Sequence, residues 1–293
     1  MRNVKSGLLF DLLNYILLNL LFIVTLYPFY YIFIYSISDP TLAQKGIALL
    51  PAGFSLDAYK SVFMLKGMKD AALITVLRTV IGTTLTIICC SFFAYIITKP
   101  ELPFRRIIYR FLLVTMYFNA GFIPWYLTMK SLHLNNSFLL YILPYAVSAF
   151  YVMLIKTFME QLPPSLEESA NIDGAGYVTV FIRIIFPLSK PIIATITVFA
   201  AVNQWNTWID NFFLVENPKL QTLQLILYNY LNQANNLATK STMELTRGVN
   251  VNVMTPASIR MTITMVVTLP IILVYPFMQR YFVKGIMLGA VKG

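Results

Sequence analysis

Two apolar stretches of the 293-residue chain combine amide side chains with aromatic rings, YFNAGFIPWY from Tyr117 and VNQWNTWID from Val202. Aromatic faces stack against the C–H faces of a sugar, and amides exchange hydrogen bonds with its hydroxyl groups. Because polar groups are costly inside a membrane, they usually face a cavity or the interior of a helix bundle. The pattern therefore predicts a carbohydrate pathway, and its candidate residues are Asn119, Trp125, Tyr126, Asn203, Gln204, Trp205, Asn206 and Trp208.

Residues for covalent or metal chemistry are sparse. The chain has one histidine, His133, and its two cysteines, Cys89 and Cys90, are adjacent inside an apolar run where packing is their expected role. It contains no glycine-rich phosphate loop of the G-x-x-x-x-G-K-[ST] type and no cluster with metal-ligand spacing. We therefore expect no catalytic residue, metal site or cofactor in this chain. The alternatives are a membrane enzyme acting on lipid or glycan, which needs paired carboxylates or a nucleophile, and an ion-coupled transporter, which needs an ionisable residue at mid-span.

The composition predicts an all-α, polytopic membrane protein. The chain is 58% hydrophobic and 12% charged, with a mean hydropathy of +0.70. Apolar runs of about 20 residues can each cross about 30 Å of hydrocarbon as a helix. Six such spans in one transmembrane domain, 1–293, are predicted near 12–37, 71–98, 107–129, 138–156, 188–209 and 259–279. Since Trp125 and Trp208 lie near span ends, an aromatic belt at the outer interface is the alternative role for both.

The short loops predict the orientation of these spans. Loop 99–110 carries four basic residues against Glu101, whereas loop 130–137 carries only Lys130 and His133. Basic residues accumulate in short cytoplasmic loops, so loop 99–110 is cytoplasmic. Six spans then leave both termini in the cytoplasm.

One long polar segment, 163–191, interrupts the spans on this cytoplasmic side. Pro164 suits a first helical turn, Ser165 and Glu168 have the spacing of a capping box, and Gly174 offers the positive φ at which a helix can stop. A second helix follows, with one apolar face formed by Val178, Phe181, Ile182 and Ile185 and with Pro187 and Pro191 ending it. From spacing alone, a helix pair lying on the membrane surface is an equal alternative.

The segment also resembles a known motif. Glu168-Ser169-Ala170, then three residues and Gly174, then nine residues, Ile184 and Phe186-Pro187 resemble the EAA loop of binding-protein-dependent ABC importer permeases. Ser169 replaces the usual second alanine, and Phe186 replaces the usual leucine. In that family the loop is a coupling helix seated in a groove of the ATP-binding subunit. The resemblance therefore implies ATPase contacts at Glu168, Ser169, Ala170, Asp173, Gly174, Ala175, Ile184 and Pro187.

Further segments narrow the resemblance. TMYFNAGFIPWYL, FPLSKP, WNTW and the ending QRYFVKGIMLGAVKG are similar to carbohydrate-uptake permeases of the maltose-transporter type, especially the branch for complex oligo- and polysaccharides such as alginate. The resemblance implies import by alternating access across the bacterial cytoplasmic membrane. It also implies a heterodimer with a second permease, an ATPase dimer that holds ATP and Mg, and a solute-binding protein outside. The cytoplasmic tail 280–293 would touch the ATPase.

The predicted outer loops carry an excess of positive charge within a net charge of +10. They also contain an amphipathic pattern over 223–231 and a polar run over 232–255. In the outer loops and at the outer span ends, ten basic residues oppose six acids: Lys45, Lys60, Lys66, Lys69, Arg78, Lys130, Lys219, Lys240, Arg247 and Arg260 against Asp39, Asp57, Asp70, Asp210, Glu216 and Glu244. The excess predicts attraction of an acidic, uronate-containing oligosaccharide or of an acidic face of the binding protein. Solvated loops that contact anionic lipid are the alternative.

Overall fold

The computed structural model describes residues 4–47, 49–237 and 255–290, and its regular structure there is helical. The only β pairing in these ranges is a single bridge between Ser38 and Phe54, so the all-α prediction is confirmed. The α-helices are α1 Val4–Ser36, α2 Pro40–Ala43, α3 Asp57–Met64, α4 Met68–Thr98, α5 Arg105–Tyr117, α6 Phe122–Ser131, α7 Ala149–Met159, α8 Ser165–Ile172, α9 Tyr177–Val180, α10 Phe186–Leu188, α11 Lys190–Asn206, α12 Ile209–Leu214, α13 Leu223–Leu237 and α14 Pro256–Ala290. Short 3-10 turns occupy Phe138–Tyr141, Leu143–Tyr145 and Pro218–Leu220, and a π-helical turn occupies Phe181–Ile185.

Among the described residues, three helices are long and apolar enough to cross a membrane unaided: Phe10–Ser36, Met68–Thr98 and Pro256–Val274. The other predicted spans fall on bent pairs, which raise the number of candidate spans to six if each pair is one span. The pairs are Arg105–Tyr117 with Phe122–Ser131, bent by 119°, Phe138–Tyr145 with Ala149–Met159, bent by 46°, and Tyr177–Leu188 with Lys190–Asn206, bent by 81°. The count of six spans in one domain stays a prediction.

The span predicted over 107–129 is broken, because the chain turns sharply between α5 and α6. Gly121 has φ +84 and ψ 177, a conformation that strongly favours glycine. Asn119 stabilises the turn by accepting a hydrogen bond from the Gly121 backbone N–H at 2.9 Å. Pro124 consequently lies in the first turn of α6 and does not kink a longer helix.

The chain divides into two compact units, and the first comprises Met1–Met68 with Leu227–Leu269. Residues 10–30 of α1 are exposed within the chain, an apolar surface suited to hydrocarbon, whereas its last turn is buried at Ile34, Tyr35 and Ser36. The C-terminal end of α1 is tied to the following loop, because Ser38 Oγ donates to the Ile34 carbonyl at 2.5 Å and accepts from the Ala52 N–H at 3.1 Å. Asp39 caps the N-terminus of α2. Three hydrogen bonds lower the pKa of the Asp39 carboxyl: the bond from the Thr41 hydroxyl has the largest effect, and those from the backbone N–H groups of Leu42 and Thr41 add to it.

The second unit comprises Lys69–Ile226 with Pro270–Gly293 and contains the larger core. This core joins α4, α7 and α11 to segment 163–191 through buried apolar side chains that include Cys90, Ala94, Ile97, Val152, Ile155, Val180, Phe181, Ile185 and Ile196. Cys90 is fully buried in it, which confirms the packing role expected of this cysteine. A second cluster packs α6 and Phe138–Tyr141 against the end of α12.

Segment 163–191 forms two helices with a hinge, as predicted, but its first cap differs. The capping box is wrong: Pro164 adopts φ −59 and ψ −29, so the helix begins one residue early and Ser165 is already helical. Glu168 donates its backbone N–H to the Pro164 carbonyl at 3.1 Å. Gly174 has φ +80, which confirms the glycine hinge.

The second helix of the segment does not bury the predicted face. Phe181 and Ile185 are buried, but Val178 and Ile182 are exposed, and Val180 takes part in the core in their place. The π-helical turn Phe181–Ile185 explains the change, because its i→i+5 hydrogen bonds shift the 3.6-residue register on which the prediction relied.

Candidate functional site

The end of α4 anchors the first helix of the EAA-like segment. Lys99, which follows α4, forms an ion pair with Glu167 in the first turn of α8. The Lys99 ammonium also lies 4.1 Å from the centroid of the Tyr95 ring. Both charged side chains are largely shielded from solvent, so the pair ties α8 to α4 more firmly than an exposed pair would.

Aromatic packing anchors the second helix of the segment to the same end of α4. The Phe181 ring lies 5.4 Å from Phe92, 5.2 Å from Tyr95 and 5.7 Å from Phe186, measured between ring centroids. Such pairs contribute about 0.5–1.5 kcal/mol each beyond the area they bury. These contacts therefore resist a displacement of the segment relative to α4. If the segment moves, they pass the movement on to α4.

The motif residues divide into an inner and an outer set. Ala170 is buried in the core, and Ala175 and Ile184 pack against it, while Pro187 is half-buried. The outer set is exposed and available to a partner: Glu168, Ser169, Asp173 and Gly174. The sequence analysis did not identify Lys99 and Glu167 as the residues that tie α8 to α4. A lysine just after a predicted span and a glutamate beside the motif could have indicated such an ion pair.

The first group of pathway candidates lies around the turn between α5 and α6. A cleft of about 420 Å³ is lined there by residues that include Asn119, Gly121 and Trp125. The Asn119 side-chain oxygen is already engaged by the turn, which leaves its NH₂ group for other partners.

Aromatic rings connect three of the candidates across a long separation in sequence. Four rings follow one another with centroid distances of 4.5–5.9 Å: Trp208, Phe212, Phe213 and Phe122. The Phe122 ring in turn lies 6.0 Å from Trp125 and 6.1 Å from Tyr126. Phe122, Phe212 and Phe213 were not singled out from the sequence, and each is more than a third exposed. The structure thus brings Trp125, Tyr126 and Trp208 into one aromatic run.

The second group of candidates lies at the end of α11. Asn203 and Gln204 line a cavity of about 200 Å³ together with Tyr145 and Tyr151. Trp205 is half-buried and Asn206 is exposed in the last turn of α11; neither lines this cavity.

A buried ion pair beside this cavity was not foreseen. The Arg78 guanidinium binds Asp210 through both nitrogens, at 3.1 Å and 2.6 Å, and both side chains are at most 1% exposed. Arg78 also donates to Gln204 Oε1 at 3.0 Å and to the Thr207 carbonyl at 3.1 Å. The Arg78 and Asp210 charges thus neutralise each other and are hydrogen-bonded, which offsets the cost of removing them from water.

Two tyrosines complete the surroundings of the pair. The guanidinium carbon lies 4.7 Å from the Tyr141 ring centroid and 5.8 Å from that of Tyr145. The Tyr145 hydroxyl is 3.4 Å from Asp210 Oδ2. Arg78 and Asp210 therefore do not belong to the charges that face solvent on the predicted outer side. Because one basic and one acidic residue leave that count together, its excess of positive charge is unchanged.

Residues 2–288 match the protein family described as the binding-protein-dependent transport system inner membrane component. The chain belongs to this family. It is a permease subunit of an ABC importer, as the EAA-like motif predicted.

Two relatives match the permease over all or nearly all of its length. Protein LplC of Bacillus subtilis (strain 168) is 36% identical over 296 residues, which cover 100% of this chain and 98% of that protein. The polygalacturonan/rhamnogalacturonan transport system permease protein YtcP of the same organism is 35% identical, with 97% and 99% covered. Among solved structures, a chain of a bacterial ABC transporter involved in the import of the acidic polysaccharide alginate matches with a TM-score of 0.86 at 29% identity, over 96% of this chain and 99% of its own.

The family also decides between the classes left open by the sequence. Its members are transport subunits of the inner membrane and not enzymes, and ATP hydrolysis in such systems belongs to a separate subunit. Membership implies an ATPase, a binding protein and a second permease as partners. The permease therefore contributes the path across the membrane, and ATP hydrolysis takes place on another subunit.

Proposed function

We propose that this permease moves an acidic, uronate-containing oligosaccharide across the bacterial cytoplasmic membrane by alternating access. The observation that carries the proposal is the chemistry of its relatives, since YtcP is assigned to polygalacturonan and rhamnogalacturonan and the structural neighbour serves alginate. All three polymers contain uronate residues, so carboxylates are the feature their transporters share.

The exposed charges of the permease support an acidic cargo. Six lysines of the predicted outer loops are exposed: Lys45, Lys60, Lys66, Lys69, Lys130 and Lys219. Asp57 neutralises Lys60, with 3.1 Å between the charged atoms. An excess of one sign around an entrance raises the local concentration of oppositely charged ligand. Lys240, Glu244 and Arg247, which also entered this prediction, lie outside the described residues.

The orientation proposed here has both termini and segment 163–191 in the cytoplasm. It rests on the basic loop 99–110 and is supported by the Lys99–Glu167 pair, which joins that loop to the segment. In this orientation Glu168 is the charged contact to the ATPase and Gly174 is the turn, with Ser169, Asp173 and the inner motif residues supporting them. The whole chain, 1–293, then acts as one transmembrane domain with six spans.

The proposed assembly pairs this chain with a second, different permease, an ATPase dimer that binds ATP and Mg, and an extracytoplasmic binding protein. Tail 280–293 contacts the ATPase; α14 extends into it as far as Ala290, and 291–293 lie outside the described residues. The cargo passes the amide and aromatic groups of the two candidate regions.

Uptake by vesicles that contain the complete importer and its binding protein tests the substrate class. Trigalacturonate should enter faster than a neutral trisaccharide of equal length, and the advantage should shrink as salt rises from about 0.01 to 0.15 M, because screening shortens the reach of the charges from about 30 to 8 Å. Equal uptake of a neutral maltodextrin would contradict the proposed cargo.

A further inference from the structure

The cleft between α5 and α6 lies where one candidate span is broken. Helix α5 has 13 residues, so it rises only about 20 Å at 1.5 Å per residue, short of the roughly 30 Å of hydrocarbon in a bilayer. Residues 118–121 are irregular, and the chain turns there by 119° into α6. In a span formed by this pair of helices, the break therefore lies inside the hydrocarbon layer.

The backbone of the break is polar and uncovered. Residues 118–121 are exposed within the chain, and the N–H groups of Asn119 and Ala120 make no hydrogen bond in the part of the chain that the structure describes. Irregular backbone at this depth is tolerated only where it is buried in protein or lines a water-filled cavity. All four residues line the cleft of about 420 Å³, so a water-filled cleft accounts for the break.

Asn119 supplies the cleft with a hydrogen-bond donor of fixed direction. Its side-chain oxygen accepts from the Gly121 N–H at 2.9 Å. A flipped amide would set two donors against each other, so the side-chain NH₂ group is the one left free. Asn119 is exposed and lines the cleft, which makes this group accessible to a ligand. The donor suits a carboxylate, since both carboxylate oxygens accept and neither has a proton to place.

Other residues of the wall suit the remainder of a sugar ring. Trp125 lines the cleft and is half-buried, and an indole ring stacks on the C–H face of a sugar. The hydroxyls of Thr115 and Thr128 also line it, and they donate to the carbonyls of Leu112 and Pro124 at 2.7 and 2.8 Å. Their lone pairs are then left to accept from sugar hydroxyls. The volume of the cleft is within the roughly 300–1,000 Å³ of ligand pockets.

We propose that this cleft is a subsite for one uronate ring of the cargo, with the carboxylate accepting from the Asn119 side-chain NH₂ group and with the C–H face of the ring on Trp125. The inference rests on the proposed function and deepens it. One side chain then has two roles, because the oxygen of Asn119 holds the turn that breaks the span and its nitrogen binds the cargo.

Reaction of an introduced cysteine tests whether the cleft is aqueous and receives the cargo. Thr128→Cys places a thiol on the wall, and a charged, water-soluble thiosulfonate should modify it in the complete importer. Trigalacturonate, supplied with the binding protein, should slow this reaction about twofold when half of the sites are occupied. No modification of Thr128→Cys would show that the second permease or lipid covers the cleft, and would overturn the subsite.

Two controls accompany the labelling. Leu127→Cys places a thiol on the same helix at an exposed position that does not line the cleft, so its reaction rate should not respond to the sugar. The unsubstituted chain, with Cys89 and Cys90, gives the background. Equal slowing of Leu127→Cys and Thr128→Cys would show a general change of conformation and contradict occupation of the cleft.

The substitution Asn119→Asp tests the donor, since it keeps an oxygen for the Gly121 N–H and converts the NH₂ group into an acceptor. The readouts are uptake of trigalacturonate and of the galactotriose obtained by reducing its carboxyl groups, both by the complete importer in vesicles. Trigalacturonate uptake should fall roughly tenfold or more, the factor expected for a lost hydrogen bond to a charged group. Galactotriose uptake should change less than about threefold, because its hydroxyls can donate to the new carboxylate.

The matched control is Asn135→Asp, the same substitution at an exposed position of loop 130–137. It should leave trigalacturonate uptake within about twofold of the wild type at about 0.15 M salt, where exposed charges are screened. Unchanged trigalacturonate uptake by Asn119→Asp, or an equal loss of both sugars, would overturn the carboxylate contact. The cargo is tested separately: a wild type that takes up only galactotriose would refute the proposed function, while slower labelling of Thr128→Cys by galactotriose would still report that the cleft binds sugar.

The stacking role of Trp125 has its own test. Trp125→Leu removes the aromatic face, and uptake of both sugars should fall about two- to tenfold, the factor that corresponds to one aromatic contact. Trp125→Phe keeps an aromatic face and should retain most of the uptake. The amount of importer in the membrane and its basal ATP hydrolysis should stay normal in both variants. Equal uptake by the two variants would show that the ring does not stack on the cargo.

Discussion

At the scale of single residues, the centre of the second unit depends on a few exact fits between α4 and the end of α11. Arg78 finds acceptors on Gln204, Thr207 and Asp210, and Gly82 leaves the space that the Gln204 amide fills. Each of these contacts joins residues more than 100 positions apart in the sequence. A substitution in α4 therefore affects the packing at the end of α11, and the reverse also holds.

The substitution Gly82→Ala should destabilise the permease by about 1–3 kcal/mol, the usual cost of overpacking a close contact. The new Cβ would lie 2.6 Å from Gln204 Nε2 and 2.8 Å from its Cδ. Gly176→Ala is the matched control, because nothing lies within 4 Å of a Cβ there. Thermal unfolding of the purified proteins in detergent measures the difference, and equal midpoints for the two variants would contradict the contact.

Removal of one partner from the buried ion pair should cost more than removal of both. Asp210→Ala leaves the Arg78 charge buried and unpaired, and we expect a loss of about 3–5 kcal/mol. Arg78→Met with Asp210→Leu should lose less. Asp57→Ala, in the exposed pair with Lys60, is the control and should leave the unfolding midpoint unchanged. The account fails if the double variant is less stable than Asp210→Ala.

At the scale of elements, α4 contacts both candidate regions of the second unit. Its 31 residues span about 46 Å at 1.5 Å per residue. Arg78 and Gly82, in the first half of the helix, contact the end of α11, while Phe92 and Tyr95, near its C-terminal end, pack against Phe181 of segment 163–191. A rigid helix with both contacts is a physical route by which the segment and the cavity can influence each other.

Charge exchange tests the Lys99–Glu167 anchor. Lys99→Glu should reduce the stimulation of ATP hydrolysis by loaded binding protein about fivefold or more, because even an exposed pair is worth up to about 1 kcal/mol and this pair is largely shielded from solvent. Lys99→Glu with Glu167→Lys restores opposite charges and should recover most of the stimulation. If the double variant is as defective as the single one, the ion pair is not the anchor.

The Gly174 hinge predicts a loss of coupling without a loss of assembly. Gly174 has φ +80, and a β-branched side chain is strongly disfavoured there, so Gly174→Val should distort the turn between α8 and α9. We expect normal amounts in the membrane, unchanged basal ATP hydrolysis and no stimulation by loaded binding protein. Gly176→Ala, whose parent residue has φ −76, is the conservative control. Normal transport by Gly174→Val would refute the coupling role.

At the scale of the whole molecule, the sequence was informative wherever a signal is local. Long apolar runs predicted α1, α4 and α14, and a single glycine predicted the hinge at Gly174. The break near Gly121 was missed, because an apolar run looks the same whether or not one glycine turns it. The Arg78–Asp210 pair was missed because its partners are 132 residues apart and each looks like an ordinary surface charge.

The same reasoning explains which parts of the site were predictable. The coupling motif is contiguous, so its residues could be named from a resemblance, and the amide-rich end of α11 could be named from composition. The aromatic run that joins Trp208 to Trp125 depends on Phe122, Phe212 and Phe213, whose role arises only when α6 packs on α12. Pairing of this kind has no signature within either segment.

The most direct test of the account is ATP-driven accumulation of trigalacturonate by vesicles that contain this permease, its partner permease, the ATPase and the binding protein. We expect accumulation against a gradient that requires ATP and the binding protein and that disappears in Gly174→Val. Accumulation driven by an ion gradient without ATP, or ATP-driven accumulation of a neutral trisaccharide but not of trigalacturonate, would contradict it.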